Sequence, residues 1–358
     1  MCRIKLFLIL ILKRYMTLLY LKQNKKVGKK IMKKINMIIK STILFLALIF
    51  LSYKSFAGVI YISNEGSDNI TVIDLDTLTI IDTIEGGDRP RDMHYLKEQG
   101  HLLVAASEDD IINIIDVKSL KIIGTLETGD DPEIFDISPD GTIAVVSNED
   151  DNEATIIDIK TRKILRVIED VGIEPEGVTF TPDGRLVFIT SEGTNTVIII
   201  DPWKGEIIEE VLVGNRPRRG AFTQDGSEYW VTNELGGSVS ILNTKTFEII
   251  HTIEFSKKGI RNEEITPVDF AMSNDGTKAY ITLGRAKHVA VVDTDSYEVM
   301  DYILAGSRVW GAAISKDDKT LIVTNGQSDD ISIIDTDKRA SVNSIAVGRT
   351  PHTVRIVE

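Results

Sequence analysis

From Gly58 onward, apolar residues come in short runs closed by polar turns, and one phrase keeps returning. It consists of an apolar stretch ending in Thr or Ser and Asn, a polar turn, an apolar run ending in Asp, a second turn, a further apolar run, and then Gly-x-x-Pro. The residue that closes the third element stands at Asp74, Asp116, Asp158, Asp201, Asn243, Asp293 and Asp335, at spacings of 42, 42, 43, 42, 50 and 42. The runs are too short for the paired amphipathic helices of a solenoid. A period near 42 with several β-type runs predicts one four-stranded propeller blade per repeat. Asp140-Gly141, Asp183-Gly184, Asp225-Gly226 and Asp275-Gly276 lie between apolar runs, where glycine permits the positive φ of a tight hairpin, and Asp317-Asp318 is a looser version.

The innermost strands are expected to begin near Pro90, Pro132, Pro175, Pro217, Pro267, Val309 and Pro351, which makes seven blades. The repeats open on an outer set of three strands, Val59 to Ile84, and close on a lone inner strand, His352 to Val357. The two ends therefore complete one blade, close the ring and leave no free sheet edge between first and last repeats. The expected fold is all-β, a seven-bladed propeller of antiparallel blades in one domain, 58–358, behind an N-terminal leader, 1–57.

The phrases Tyr61-Ile62-Ser63-Asn64, Trp230-Val231-Thr232-Asn233 and Ile322-Val323-Thr324-Asn325, with Val-Ile-Asp and Gly-x-x-Pro, resemble the YVTN family of seven-bladed propellers, and the resemblance covers 58–358. The whole-chain pattern is most similar to the β-propeller proteins associated with PQQ-dependent catabolism of alcohols. That resemblance implies an exported protein working beside quinoprotein dehydrogenases, their cytochromes or transport components.

Charge divides the chain. Of its 41 Lys and Arg, 13 lie in 1–57, where there is no Asp or Glu, so 28 basic residues face 54 acidic ones in the remainder, net −26. Such a body is expected to repel nucleic acid and anionic lipid. The basic run Lys25 to Lys40, the apolar stretch Ser41 to Ser52 and Ser55-Phe56-Ala57 have the parts of a secretory signal over about 32–57, with cleavage expected near Ala57. The stretch is short for a span of roughly 20 residues, and the alternative is an uncleaved anchor. A second apolar run, Leu6 to Leu12, precedes this signal, so Met32 or Met37 is the expected start. Location is accordingly expected to be periplasmic or secreted, with no membrane contact beyond the leader. Cys2 is the single cysteine, so the body has no disulfide, thiolate or Cys-ligated metal.

Candidate chemistry lies where inner strands meet the channel mouth, on the face shared by the second-to-third-strand loops and the interblade loops, here called the top. The residues after the repeat proline are Arg91, Glu133, Glu176, Arg218, Val268, Trp310 and His352; those before it include Arg89, Asp131, Glu174, Arg216 and Arg308. A structural column would look alike in every blade, and this one does not. Arg91, Glu133, Glu176, Arg216, Arg218, Arg308, Trp310 and His352 are expected to form a polar funnel for a protein partner or a small zwitterionic or anionic ligand; the alternative is a solvated mouth whose charges neutralise one another. His352 with Glu133 and Glu176 lacks the convergent ligand set that defines a metal site, and neither metal nor cofactor is expected. The acidic second-to-third-strand turns are read as solvated loops, and His94, His101, His251 and His288 as surface or packing residues. Ser256 to Thr266 accounts for the 50-residue spacing, an insertion into a top-face loop that brings Lys257, Lys258 and Arg261. No nucleophile elbow, phosphate loop or HExxH helix is present. The expected function is a non-catalytic binding or scaffold propeller; the alternatives are a lactonase-like hydrolase using the funnel and a cell-surface adhesion module.

Overall fold

In a ring of radial blades, every sheet except the outermost edges is covered on both faces, so strands one to three should be continuously apolar and strand four half exposed. The computed structural model, which describes residues 58–358, has that distribution. In the third blade Ile143–Asn148 is buried throughout, whereas the outer strand Lys163–Ile168 is exposed except for Ile168. The leader and secretory signal expected over 1–57 lie outside the described residues.

There are seven four-stranded antiparallel sheets. Six are consecutive meanders whose inner strands are Pro90–Leu96, Pro132–Ile137, Pro175–Phe180, Pro217–Phe222, Pro267–Met272 and Val309–Ile314. Blade one combines the ends: Pro351–Val357 pairs with Val59–Asn64, placing Val357 opposite Val59 and Val354 opposite Ile62. Both expectations, seven blades and a shared closing blade, hold.

Each position of the repeated phrase has a mechanical task. The Ser or Thr hydroxyl near the end of the second strand donates to the backbone carbonyl of the mouth residue in the next blade: Ser63 to Arg91 at 2.6 Å, Ser147 to Glu176 at 2.6 Å, Thr232 to Val268 at 2.9 Å and Thr324 to His352 at 2.7 Å. The Asn that follows bonds across to the third strand, as Asn64 to Thr71 and Asn325 to Ser332, and its oxygen accepts the N–H of the interblade glycine, as Asn325 does from Gly306. The Asp at the end of the third strand folds the next turn by accepting from the backbone three residues on, Thr77 for Asp74 and Thr161 for Asp158. One phrase therefore fixes the hairpin, the interblade turn and the blade-to-blade contact.

The residue before the inner strand is left-handed in blade after blade: Arg89 at φ 53°, Asp131 at 49°, Glu174 at 52° and Arg216 at 56° before a proline, and Arg308 at 60° before Val309. This sparsely populated conformation is held by the loop of the preceding blade. Asp68 accepts from the Arg89 N–H at 3.1 Å, Asp110 from Asp131 at 3.0 Å and Asn195 from Arg216 at 2.8 Å. The acidic turns are thus not merely solvated, as expected from sequence; Asp68 and Asp110 fasten the loops that carry the rim residues.

Candidate functional site

Below its proline each inner strand breaks step with its neighbour: the ladder skips from Pro90 to Met93, from Pro132 to Phe135 and from Pro217 to Gly220. The skipped residues leave the regular pairing and supply the mouth. Arg91 pairs with Glu65 at 2.8 Å, with Glu133 in close contact and with Glu176 at 3.9 Å. Arg218 meets Glu176 at 3.1 Å and contacts Glu192. Arg216 reaches Glu192 at 2.6 Å and Glu234 at 3.5 Å, and Arg308 reaches Glu234 at 3.1 Å. The Arg308 guanidinium lies 5.6 Å from the ring centre of Trp310, whose ring meets His352 edge-on at 5.4 Å. His352 Nε2 returns to Glu65 at 3.9 Å.

All eight expected residues thus belong to one lattice, but it is not an open funnel. Arg91, Glu133, Glu176 and His352 are buried, because each guanidinium is drawn onto carboxylates of adjoining blades. The charges neutralise one another, the carboxylates out of solvent and Arg216 at the exposed rim. Three connecting acids, Glu65, Glu192 and Glu234, were not singled out from the sequence, where they read as turn residues. The available signal is that each directly follows the Ser or Asn ending a second strand, as does Glu149. That position ends the strand at the mouth instead of in the solvated part of the turn.

Burial and charge act in opposite directions across this lattice. Burial raises the Glu176 carboxyl, but Arg218, Arg91 and Arg219 outweigh it and hold the group below its ordinary range. Burial pushes the Glu192 carboxyl up to about 7 against the pull of Arg218 and Arg216. His352 is held well below its usual value by burial and by Arg91, Arg219 and Arg218. Its sign for stability follows: the unfolded imidazole takes a proton near pH 6.5 and the folded one refuses it, so stability is complete above that pH and falls as acid is added. Between pH 7 and pH 5 the wild type is expected to lose more stability than His352→Gln, by no more than about 2 kcal/mol at roughly 1.4 kcal/mol per pH unit. Denaturant melts at the two pH values check this, and identical losses would assign the effect elsewhere.

Two carboxylate triads adjoin the lattice. Asp131, Glu133 and Glu149, and Glu149, Glu174 and Glu192, bring ligand oxygens within 4.8 Å of one another. His352 is in neither, its neighbours being Glu65, Thr353 and Trp310.

Beneath the lattice the channel widens into a cavity of about 190 Å³. His94, expected to be a surface or packing residue, lines it, with Nε2 3.2 Å from Asp92 and Nδ1 3.7 Å from Asp136. Arg355 donates to Asp92 at 2.7 Å. The aspartates also tie blades together: Asp92 accepts from the Phe135 N–H at 3.4 Å, Asp136 from Phe180 at 2.8 Å and Asp269 from Ala312 at 3.2 Å. Of the other histidines, His251 stacks on Tyr297 at 4.6 Å and His288 Nδ1 contacts the Ala286 carbonyl oxygen at 2.6 Å.

Against known families, residues 158–348, more than half of the chain, match the choice-of-anchor I domain. The chain belongs to that family. Residues 59–185 match the YNCE-like β-propeller family. No curated protein matches. Among solved structures, a functionally unknown protein from Desulfotomaculum acetoxidans is 19% identical, with TM-score 0.73 over 84% of this chain and 99% of that one. Hydrazine synthase of Kuenenia stuttgartiensis is 21% identical, with TM-score 0.71 over 78% and 93%. The periplasmic gluconolactonase of Pseudomonas aeruginosa is 17% identical, with TM-score 0.70 over 84% and 99%. At these identities the likeness speaks for the fold alone.

Proposed function

We propose that this chain is an exported, non-catalytic binding or scaffold propeller whose top face docks a protein partner, as an accessory to PQQ-dependent alcohol catabolism or its transport system. The observation that carries the docking face is the sealed lattice. With Arg91, Glu133, Glu176 and Arg218 spent on one another, the mouth offers a pre-ordered platform on which Arg216, its side chain 40% exposed, and the exposed Arg285 present guanidinium groups. Such a platform suits the carboxylates of a protein surface, since rim charges steer and orient a partner without ordering costs. The link to alcohol catabolism rests on the resemblance of the repeats.

The full-length chain, used to capture proteins from periplasmic extract, is expected to retain a quinoprotein dehydrogenase, its cytochrome or a transporter component. Arg285→Glu, which breaks no ion pair among the described residues, is expected to lose that partner while the melting temperature stays within a few degrees. Undiminished recovery by this variant would exclude this face.

One observation favours a lactonase-like hydrolase as the second reading: the Glu192 carboxyl, raised to about 7, sits at the mouth in the range useful to a general base. Under that reading δ-gluconolactone is hydrolysed with a rate that rises as the pH passes 7 and is lost in Glu192→Gln. A rate equal to the spontaneous one ends it.

A further inference from the structure

The cavity beneath the lattice holds charges that the protein itself leaves unmatched. Arg219 lines it and is about nine-tenths buried. Among the described residues its guanidinium makes no hydrogen bond, and its one carboxylate within 4 Å is Glu176, at 3.7 Å from Nε, a group already shared with Arg218 and Arg91. Burying a guanidinium without full pairing is costly, so its presence calls for a function. Arg355, the other cation of the cavity, is spent: it donates to Asp92, to the Met93 carbonyl at 2.5 Å and to the Val354 carbonyl at 3.2 Å.

The opposite charge is also left over. Asp136 and Asp269 line the cavity and accept backbone N–H groups, yet among the described residues neither has an Arg or Lys within 4 Å. Burial pushes both carboxyl groups above their ordinary range. In ring order Asp136 is on blade three, Arg219 on blade five and Asp269 on blade six, so a cation without a close partner of its own is flanked by two anions whose main opposite charges, Arg219 for Asp269 and His94 for Asp136, make no direct hydrogen bond to them among the described residues. The rest of the lining is mostly polar, with small apolar contributions from Phe135, Phe270 and Ala312. The volume corresponds to about six waters at ~30 Å³ each.

We infer that this cavity binds a small zwitterion, one carboxylate and one ammonium on a short hydrocarbon spacer, with the carboxylate on Arg219 and the ammonium on Asp136 or Asp269. A simple anion would meet three aspartates, and a simple cation would meet two guanidinium groups. A molecule carrying both signs satisfies each unmatched group. A guanidinium fork suits a carboxylate, and Phe135, Phe270 and Ala312 leave only a small apolar contact, which suits a short spacer. The site is separate from the docking face, and neither depends on the other. Access is from the side away from the lattice, where the His94 and Arg355 side chains keep about a quarter of their surface exposed.

Calorimetric titration of the full-length chain with glycine, β-alanine and 4-aminobutanoate, against acetate, butanoate and butylammonium, tests this. At least one zwitterion is expected to bind saturably and at least about tenfold more tightly than either singly charged compound of like size. Arg219→Gln is expected to weaken it by about tenfold or more. Because Arg219 also borders the lattice, Ala312→Leu provides the second variant: it adds bulk at a lining position without altering a charge, and it is expected to abolish binding while the thermal transition, lowered by the larger side chain at a buried position, stays cooperative. No saturable heat from any zwitterion up to about 10 mM, equal affinity for butanoate or butylammonium, or unchanged binding in Ala312→Leu would each overturn the inference.

Discussion

Replacing Glu176 by alanine is expected to destabilise the propeller by about 3–5 kcal/mol, the usual consequence of removing one member of a buried charge cluster. Glu176 is buried and stands 3.1 Å from Arg218, 3.7 Å from Arg219 and 3.9 Å from Arg91. Its loss leaves three guanidinium groups crowded without their common counter-charge. The size of the effect comes from the charges left behind, so Glu176→Gln, which fills the same space, should recover little of it. Arg185→Ala is the matching control. Its pair with Asp183 is shorter than any of these, at 2.6 Å, but its side chain is 83% exposed, and exposed pairs contribute about 0–1 kcal/mol. Urea unfolding of the three variants checks the contrast. Equal, small losses for Glu176 and Arg185 would mean that the lattice is solvated after all.

Removing the closing strand is expected to have a larger effect still. A chain ending at Thr350 lacks Pro351–Val357, and with it the cover over Ile60 and Ile62, the Thr324 bond to the His352 carbonyl and the Arg355 clasp on Asp92 and Met93. Val59–Asn64 becomes an open edge with unpaired backbone groups, the arrangement that invites pairing between chains. The expected outcome is loss of a cooperative thermal transition in circular dichroism and elution as aggregate. A truncated chain that stays monomeric and melts within a few degrees of the parent would show that the ring holds without its seal.

The propeller was legible because everything that defines a blade is local. The hairpin glycines, the Asp that folds each turn and the Gly-x-x-Pro step all lie within one period, so a single pass along the chain recovers them. The mouth was legible in membership and not in state. Arg91, Glu133 and Arg218 stand out because they break a column that should be uniform, but whether they face solvent or one another depends on Glu65, Glu192 and Glu234. Those acids occupy the first turn position, where an exposed carboxylate would look the same. The lower cavity was the least legible. Asp92 and Asp269 are second after the inner-strand start and Asp136 is fourth, so they form no column, and their partners lie 43 or 44 residues away, in the next blade. His94 reads as an ordinary strand residue until the ring brings Asp92 and Asp136 to either side of it.

The joint between the two ends also sets the order of events in folding. Ser63 and Thr353 bond to each other across 290 positions of sequence, so the first blade cannot form until Pro351–Val357 exists. Blades two to seven are local meanders able to assemble as they emerge, whereas blade one must wait with its edge bare until that strand is made. Closing so long a loop carries an entropic cost that no local contact offsets beforehand. Completion of this ring therefore follows the other blades, and its rate should respond to changes in that seven-residue strand more than to changes in any blade between.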